Sequence, residues 1–120
     1  MFCFKEHRPT EMNTFDFALF AENDDGTPSA YATCIEMDKE SVYMQHGGAF
    51  PGSEKSLKAV GAYHRFLAYL REHYKRASTR VENINTPMLK LAMSAGFLIN
   101  GLDCYGTQIF LHLENDFGRM

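Results

Sequence analysis

The sequence is poor in cysteine: Cys3, Cys34 and Cys104 are the only ones in 120 residues. They are odd in number and widely spaced, and no pair stands at metal-ligand spacing. That argues against a secreted disulfide framework and for reduced thiols in a cytoplasmic protein. A surplus of positive charge is lacking too. Twelve Lys and Arg against fifteen Asp and Glu leave a formal net charge of -3, which offers no basic surface to nucleic acid. No apolar run is long enough to cross a membrane. "MFCFKEHRPTEM" carries charge where a signal peptide would be apolar. Internal repeats and low-complexity segments are absent. What remains, 45% apolar and 22% charged residues, is the balance of one globular domain with one core, spanning 1–120.

Within that domain the apolar residues follow two periods. From Asn13 to Glu22, Phe15, Phe17 and Leu19 alternate with Asp16, Ala18 and Phe20, which predicts a first strand. "NDDGTP" then supplies a turn. A second strand is expected over Ser29 to Met37, with Tyr31, Thr33, Ile35 and Met37 on one face. Ala32, Cys34 and Glu36 lie on the other, where the small residues would let a helix pack close. After "DKE", "SVYMQHG" completes an antiparallel meander. Gly47 and Gly48 follow one another at its end. Paired glycines favour a bulge or the close approach of another backbone, so this strand is expected to part from the one near Val81.

A long helix is predicted from Glu54 to about Arg76, with Ser53 as its N-cap. Leu57, Val60, Tyr63, Leu67, Leu70 and Tyr74 recur at spacings of three and four. Ala59, Ala62, Phe66 and Tyr69 form a second strip, left for another element or a second subunit, and so a homodimer is expected. "STRVEN" reads as a strand beside the third one, reached by a right-handed crossover. Asn85 or Thr86 caps a second, shorter helix, Pro87 occupies its first turn and Gly96 ends it. "FLINGL" and "TQIFLHL" make a last hairpin across "DCYG". The class is α+β: a mixed, mostly antiparallel sheet with a long central helix and a second shorter one.

That order, together with "NTPMLKLAMSAGF" at residues 85–97, resembles the GNAT superfamily of N-acetyltransferases. The family pattern is Asn, a small or apolar residue three further on, Tyr at seven, and Gly-Phe at eleven and twelve. Asn85, Met88, Ala92, Gly96 and Phe97 stand at those offsets. The resemblance covers roughly 13–113 and implies that the family's N-terminal helices are reduced or missing here. It also implies a function, acetyl transfer from acetyl-CoA or another acyl-CoA to the amine of a small molecule or protein. In the family the cofactor's pantetheine enters a gap between the third strand and the next, and its pyrophosphate rests on amides at the start of the long helix, where unpaired N–H groups favour anions.

Carried onto this sequence, the resemblance implies cofactor contacts at Gln45, Gly47, Gly48, Gly52, Ser53, Lys55, Ser56 and Asn85. The stretch "FPGSEKSLK" lacks the family's glycine signature, and Gly52 and Ser53 also read simply as a turn and cap. His46 is the candidate base, since imidazole titrates near neutrality. Ala92 stands where many members have the tyrosine that protonates the leaving thiolate, so Tyr105 becomes the candidate acid. None of His7, His46, His64, His73 and His112 has metal-ligand spacing. The missing signature, tyrosine and N-terminal region support a second reading: a GNAT-like binding or structural protein without catalysis, of the kind associated with phage virions.

Overall fold

We describe the protein from a computed structural model over residues 3–7, 15–49 and 57–117. Seven strands form one sheet in the order β1-β2-β3-β4-β5-β7-β6. They are β1 (Cys3–His7), β2 (Phe17–Glu22), β3 (Pro28–Glu36), β4 (Ser41–Ala49), β5 (Arg76–Glu82), β6 (Leu98–Tyr105) and β7 (Gln108–Asn115). Helix α1 (Leu57–His73) joins β4 to β5, and α2 (Thr86–Ser94) joins β5 to β6. Only the β4–β5 pair is parallel. A parallel neighbour requires a crossover, and α1 supplies it.

The alternation seen in the sequence decides which face is covered. Ala30, Ala32 and Cys34 of β3 are buried. Their small side chains let α1 lie close, through Ala62, Phe66, Leu67 and Leu70, all buried in the same core. Phe17 and Leu19 of β2, Val42 and Met44 of β4, and Ala77 and Val81 of β5 complete it. Tyr74, just past α1, stacks on Phe17 with ring centroids 6.4 Å apart and donates its hydroxyl hydrogen to Glu36 at 2.5 Å. A buried phenol is thereby satisfied.

Several expectations are corrected. Strand β1 was not anticipated. It pairs with β2 at one edge of the sheet, and its short mixed sequence "CFKEH" carries too little alternation to announce it. Nine residues separate β1 from β2, and no helix precedes α1 among the described residues. The described part of α1 ends at His73, before Arg76, which already belongs to β5. The final hairpin turns on Gly106 and Thr107, not across "DCYG": Tyr105 pairs with Gln108, and Gly106 has φ +60°, the left-handed conformation that a two-residue turn needs. The second helical strip is not left over for a partner, because Phe66 is buried and Tyr69 packs on the core.

Candidate active site

Strands β4 and β5 pair only at their first residues, from Ser41 opposite Arg76 to Met44 opposite Thr79. Beyond that point β4 continues to Ala49 along β3, and β5 continues to Glu82 along β7. The two therefore diverge, as the paired glycines predicted. Two local features sit at the fork. Gln45 is a bulge: Cys34 pairs with Met44 and Thr33 with His46, leaving Gln45 without an opposite residue. A bulge bends its strand and sharpens its twist. Buried Thr79 donates its hydroxyl hydrogen to the Met44 carbonyl at 3.0 Å, so the last carbonyl before the gap is satisfied by a side chain.

The gap opens into a cavity of about 540 Å³. Consecutive residues of β4, from Met44 to Gly48, all line it, as do Thr79 to Glu82 of β5. Successive strand residues point to opposite faces, so the cavity runs through the plane of the sheet. On the helix side Tyr63 and Phe66 of α1 close it, with Met88 and Leu91 of α2. Gly48 keeps the β4 wall narrow: a Cβ there would lie 3.3 Å from the Tyr31 ring. Thr33 ties the bulge down, since its hydroxyl accepts the His46 N–H at 3.2 Å and faces the Gln45 carboxamide at 3.3 Å.

Of the residues singled out from sequence, Gln45, His46, Gly47, Gly48 and Asn85 come together on this cavity. His46 is exposed at its mouth. Asn85 is first of all a helix cap, with its side-chain oxygen accepting the Met88 N–H at 3.3 Å. Tyr105 is not among the lining residues. It ends β6, 57% exposed, with its ring against Phe110 and the Arg80 guanidinium. Gly52, Ser53, Lys55 and Ser56 lie outside the described residues. Ala92 does not face the cavity but is fully buried in the core.

Among the lining residues that the sequence did not mark as site residues are Tyr63, Arg80 and Glu82. Tyr63 sits at core spacing on its helix, and Arg80 and Glu82 share one face of a short strand, so neither pattern distinguishes them. In the structure two of them stand out. The Tyr63 hydroxyl and the Arg80 Nε are buried and have no hydrogen-bond partner among the described residues. Burial also pushes the Tyr63 phenol well above its ordinary pKa. Arg80 packs its guanidinium over Phe110 at 4.6 Å. Buried polar groups are nearly always partnered, so two orphans on one cavity point to a polar ligand. Among the described residues no cluster of His, Cys, Asp or Glu suits a metal ion. None of the described helices is long and apolar enough to cross a membrane.

By sequence, no family model and no curated protein matches the chain. Solved structures do. A GNAT family acetyltransferase from Elizabethkingia anophelis with acetyl-CoA bound superposes with a TM-score of 0.79, over 96% of this chain and 97% of its own, at 10% identity. The chain has the GNAT fold. A Bacillus subtilis acetyltransferase in complex with CoA matches at TM-score 0.73 and 11% identity, over 83% of this chain and 76% of that one. Nourseothricin acetyltransferase matches at 0.69 and 16%, over 84% of this chain, which spans 65% of that protein's length. The GNAT fold accounts for the parallel pair, the fork and the Asn85-to-Phe97 helix together. These neighbours are acetyltransferases, and nothing among them favours a place in a phage virion.

Proposed function

We propose that this protein is an acyl-CoA-dependent N-acyltransferase, moving an acetyl group from acetyl-CoA to the amine of a small molecule or protein. The observation that carries the reading is the fork between β4 and β5 with a cavity running through it. Acetyl-CoA would supply an activated acyl group on a long arm rich in amides. The residues present suit such an arm. Beyond Met44 the β4 edge facing β5 is unpaired, and an extended polar chain can add to such an edge as a strand does. Gly47 and Gly48 leave that edge free of side chains. Asn85 spends its oxygen on the α2 cap, and its NH₂ remains to donate. In this reading Gly52, Ser53, Lys55 and Ser56 take the phosphates.

The acceptor amine arrives largely protonated and must lose a proton before it can attack. His46, exposed at the mouth, is the base in this proposal. The half-buried Glu82 carboxylate lines the same cavity and attracts a cationic amine. Isothermal titration with acetyl-CoA tests the whole reading. Binding in the micromolar range is expected, with acetyl transfer to a panel of amines. No binding at millimolar acetyl-CoA would sink it and leave the non-catalytic binding or structural role.

A further inference from the structure

We infer that Tyr63 of α1 is the hydrogen-bond donor to the ligand's sulfur end, a contact that the residue at position 92 cannot make. The inference rests on the acyltransferase reading and adds to it a residue from a different helix.

The Tyr63 hydroxyl is buried, lines the through-sheet cavity and has no partner among the described residues. Leaving a buried hydroxyl unsatisfied forfeits its hydrogen bond to water with nothing in return. A phenylalanine would fill the same space without that penalty, so the oxygen implies a use. Burial alone sets its acidity. Such a setting disfavours the phenolate, which is why the phenol is held protonated. A group kept neutral in this way is a donor over the whole physiological pH range. Ala92, meanwhile, is buried in the core and offers no proton. Tyr63 is the one tyrosine that meets the cavity from the helix side; Tyr31 lines it from β3.

The proton balance is simple. When the amine nitrogen has bonded to the acyl carbon, the carbon–sulfur bond breaks and its electron pair leaves on sulfur. The Tyr63 hydroxyl keeps its proton and donates a hydrogen bond to that sulfur, steadying the charge that develops there. The proton released from the amine reaches the thiolate through water. The products are an amide and a free thiol, and no other reactant is needed.

The test uses the full chain and Tyr63→Phe, with CoA as the probe. If the hydroxyl is an orphan awaiting a ligand, the variant's apo melting temperature is unchanged or higher. Its CoA affinity should fall about fivefold, the worth of one ordinary hydrogen bond, while its affinity for CoA lacking the sulfur stays that of the wild type. Acetyl transfer should drop by about 100-fold in kcat, as on removing one donor to developing charge, and drop less with thioesters whose thiols are more acidic. A lower apo melting temperature would mean that the hydroxyl has a structural partner, and would overturn the inference. So would unchanged CoA affinity and kcat in a wild type that binds CoA normally. Failure of the wild type itself to bind CoA would overturn the acyltransferase reading, and this inference with it.

Discussion

The stretch from Asn85 to Phe97 shows what single residues reveal. Asn85 caps α2, and Gly96 has φ +106°, a conformation that side chains rarely adopt. The N–H of Gly96 donates to the Met93 carbonyl, and that of Phe97 to the Ala92 carbonyl, both at 3.1 Å. That is the Schellman ending, which uses Gly for its left-handed residue and buries an apolar residue just after it. Phe97 is that residue, fully buried. Asn at the start and Gly-Phe at the end were therefore legible because local backbone chemistry demands them. Position 92 was not. Spacing of seven, about two helical turns, would set it on the face of Asn85, but the helix turns it into the core, and Met88 and Leu91 line the cavity instead. Restoring the family's tyrosine there would not restore an acid. Ala92→Tyr should overpack the core at a cost of about 1–3 kcal/mol. Asn85→Ala should cost about 1 kcal/mol as a lost cap. Thermal melts of the apo protein check both: each variant melts lower, by about 4 °C per kcal/mol in a chain of this size. An Ala92→Tyr protein that melts with the wild type and transfers acetyl faster would show the side chain reaching the cavity after all.

Among the elements, the β4–β5 pair is closed at one end and open at the other, and different chemistry holds each end. The open end was legible from Gly47 and Gly48. Its bulge at Gln45 and the Thr79 bond were not, since both depend on strands far apart in sequence. At the closed end the β3–β4 turn grips the start of β5. The Glu40 carbonyl accepts the Lys75 N–H at 2.8 Å and that of Arg76 at 3.1 Å. The Glu40 carboxylate meets the Lys75 ammonium at 2.7 Å. Asp38 accepts the Glu40 N–H at 2.7 Å. Lys75 lowers the Glu40 pKa, chiefly by that hydrogen bond, and the Glu40 N–H does the same for Asp38. A carboxylate whose pKa is depressed on folding stabilises the fold above its ordinary value and loses that contribution as the pH falls through its folded value. The ordinary values are 4.5 for Glu40 and 3.8 for Asp38. Melting temperature should therefore hold steady above 4.5 and decline below it, modestly, because both side chains are exposed. Lys75→Met should shrink the part of the decline that Glu40 contributes. Melts of both proteins in a series of acidic buffers read this directly, and identical pH curves would remove Glu40–Lys75 as a clamp.

For the molecule as a whole, the homodimer expected from sequence needs a different surface from the one first assigned. Phe66 and Tyr69 face this chain's own core, so among its described side chains α1 does not hold that strip out for a second copy. The sheet does leave an edge. β6 lies at the end opposite β1, with no strand beyond it among the described residues. A bulge at Asn100 sets its side-chain alternation: Ile99 pairs with Leu113 and Leu102 with Leu111. Leu113 is buried and Leu111 packs on the core, so Ile99 and Leu102 carry the same apolar face one strand further. There the cover runs out, leaving them 46% and 59% exposed. An edge strand with free backbone groups and bare apolar side chains is prone to pair with another chain unless something blunts it. A second copy, related by a two-fold axis, would cover the same patch on both partners at once. Light scattering should then give twice the 13.7 kDa chain mass for the wild type. Leu102→Lys, which sets like charges against each other across the axis, should halve it without lowering the yield of folded protein. A wild type of 13.7 kDa at high concentration would rule the dimer out. A dimer that survives Leu102→Lys would place its interface away from β6.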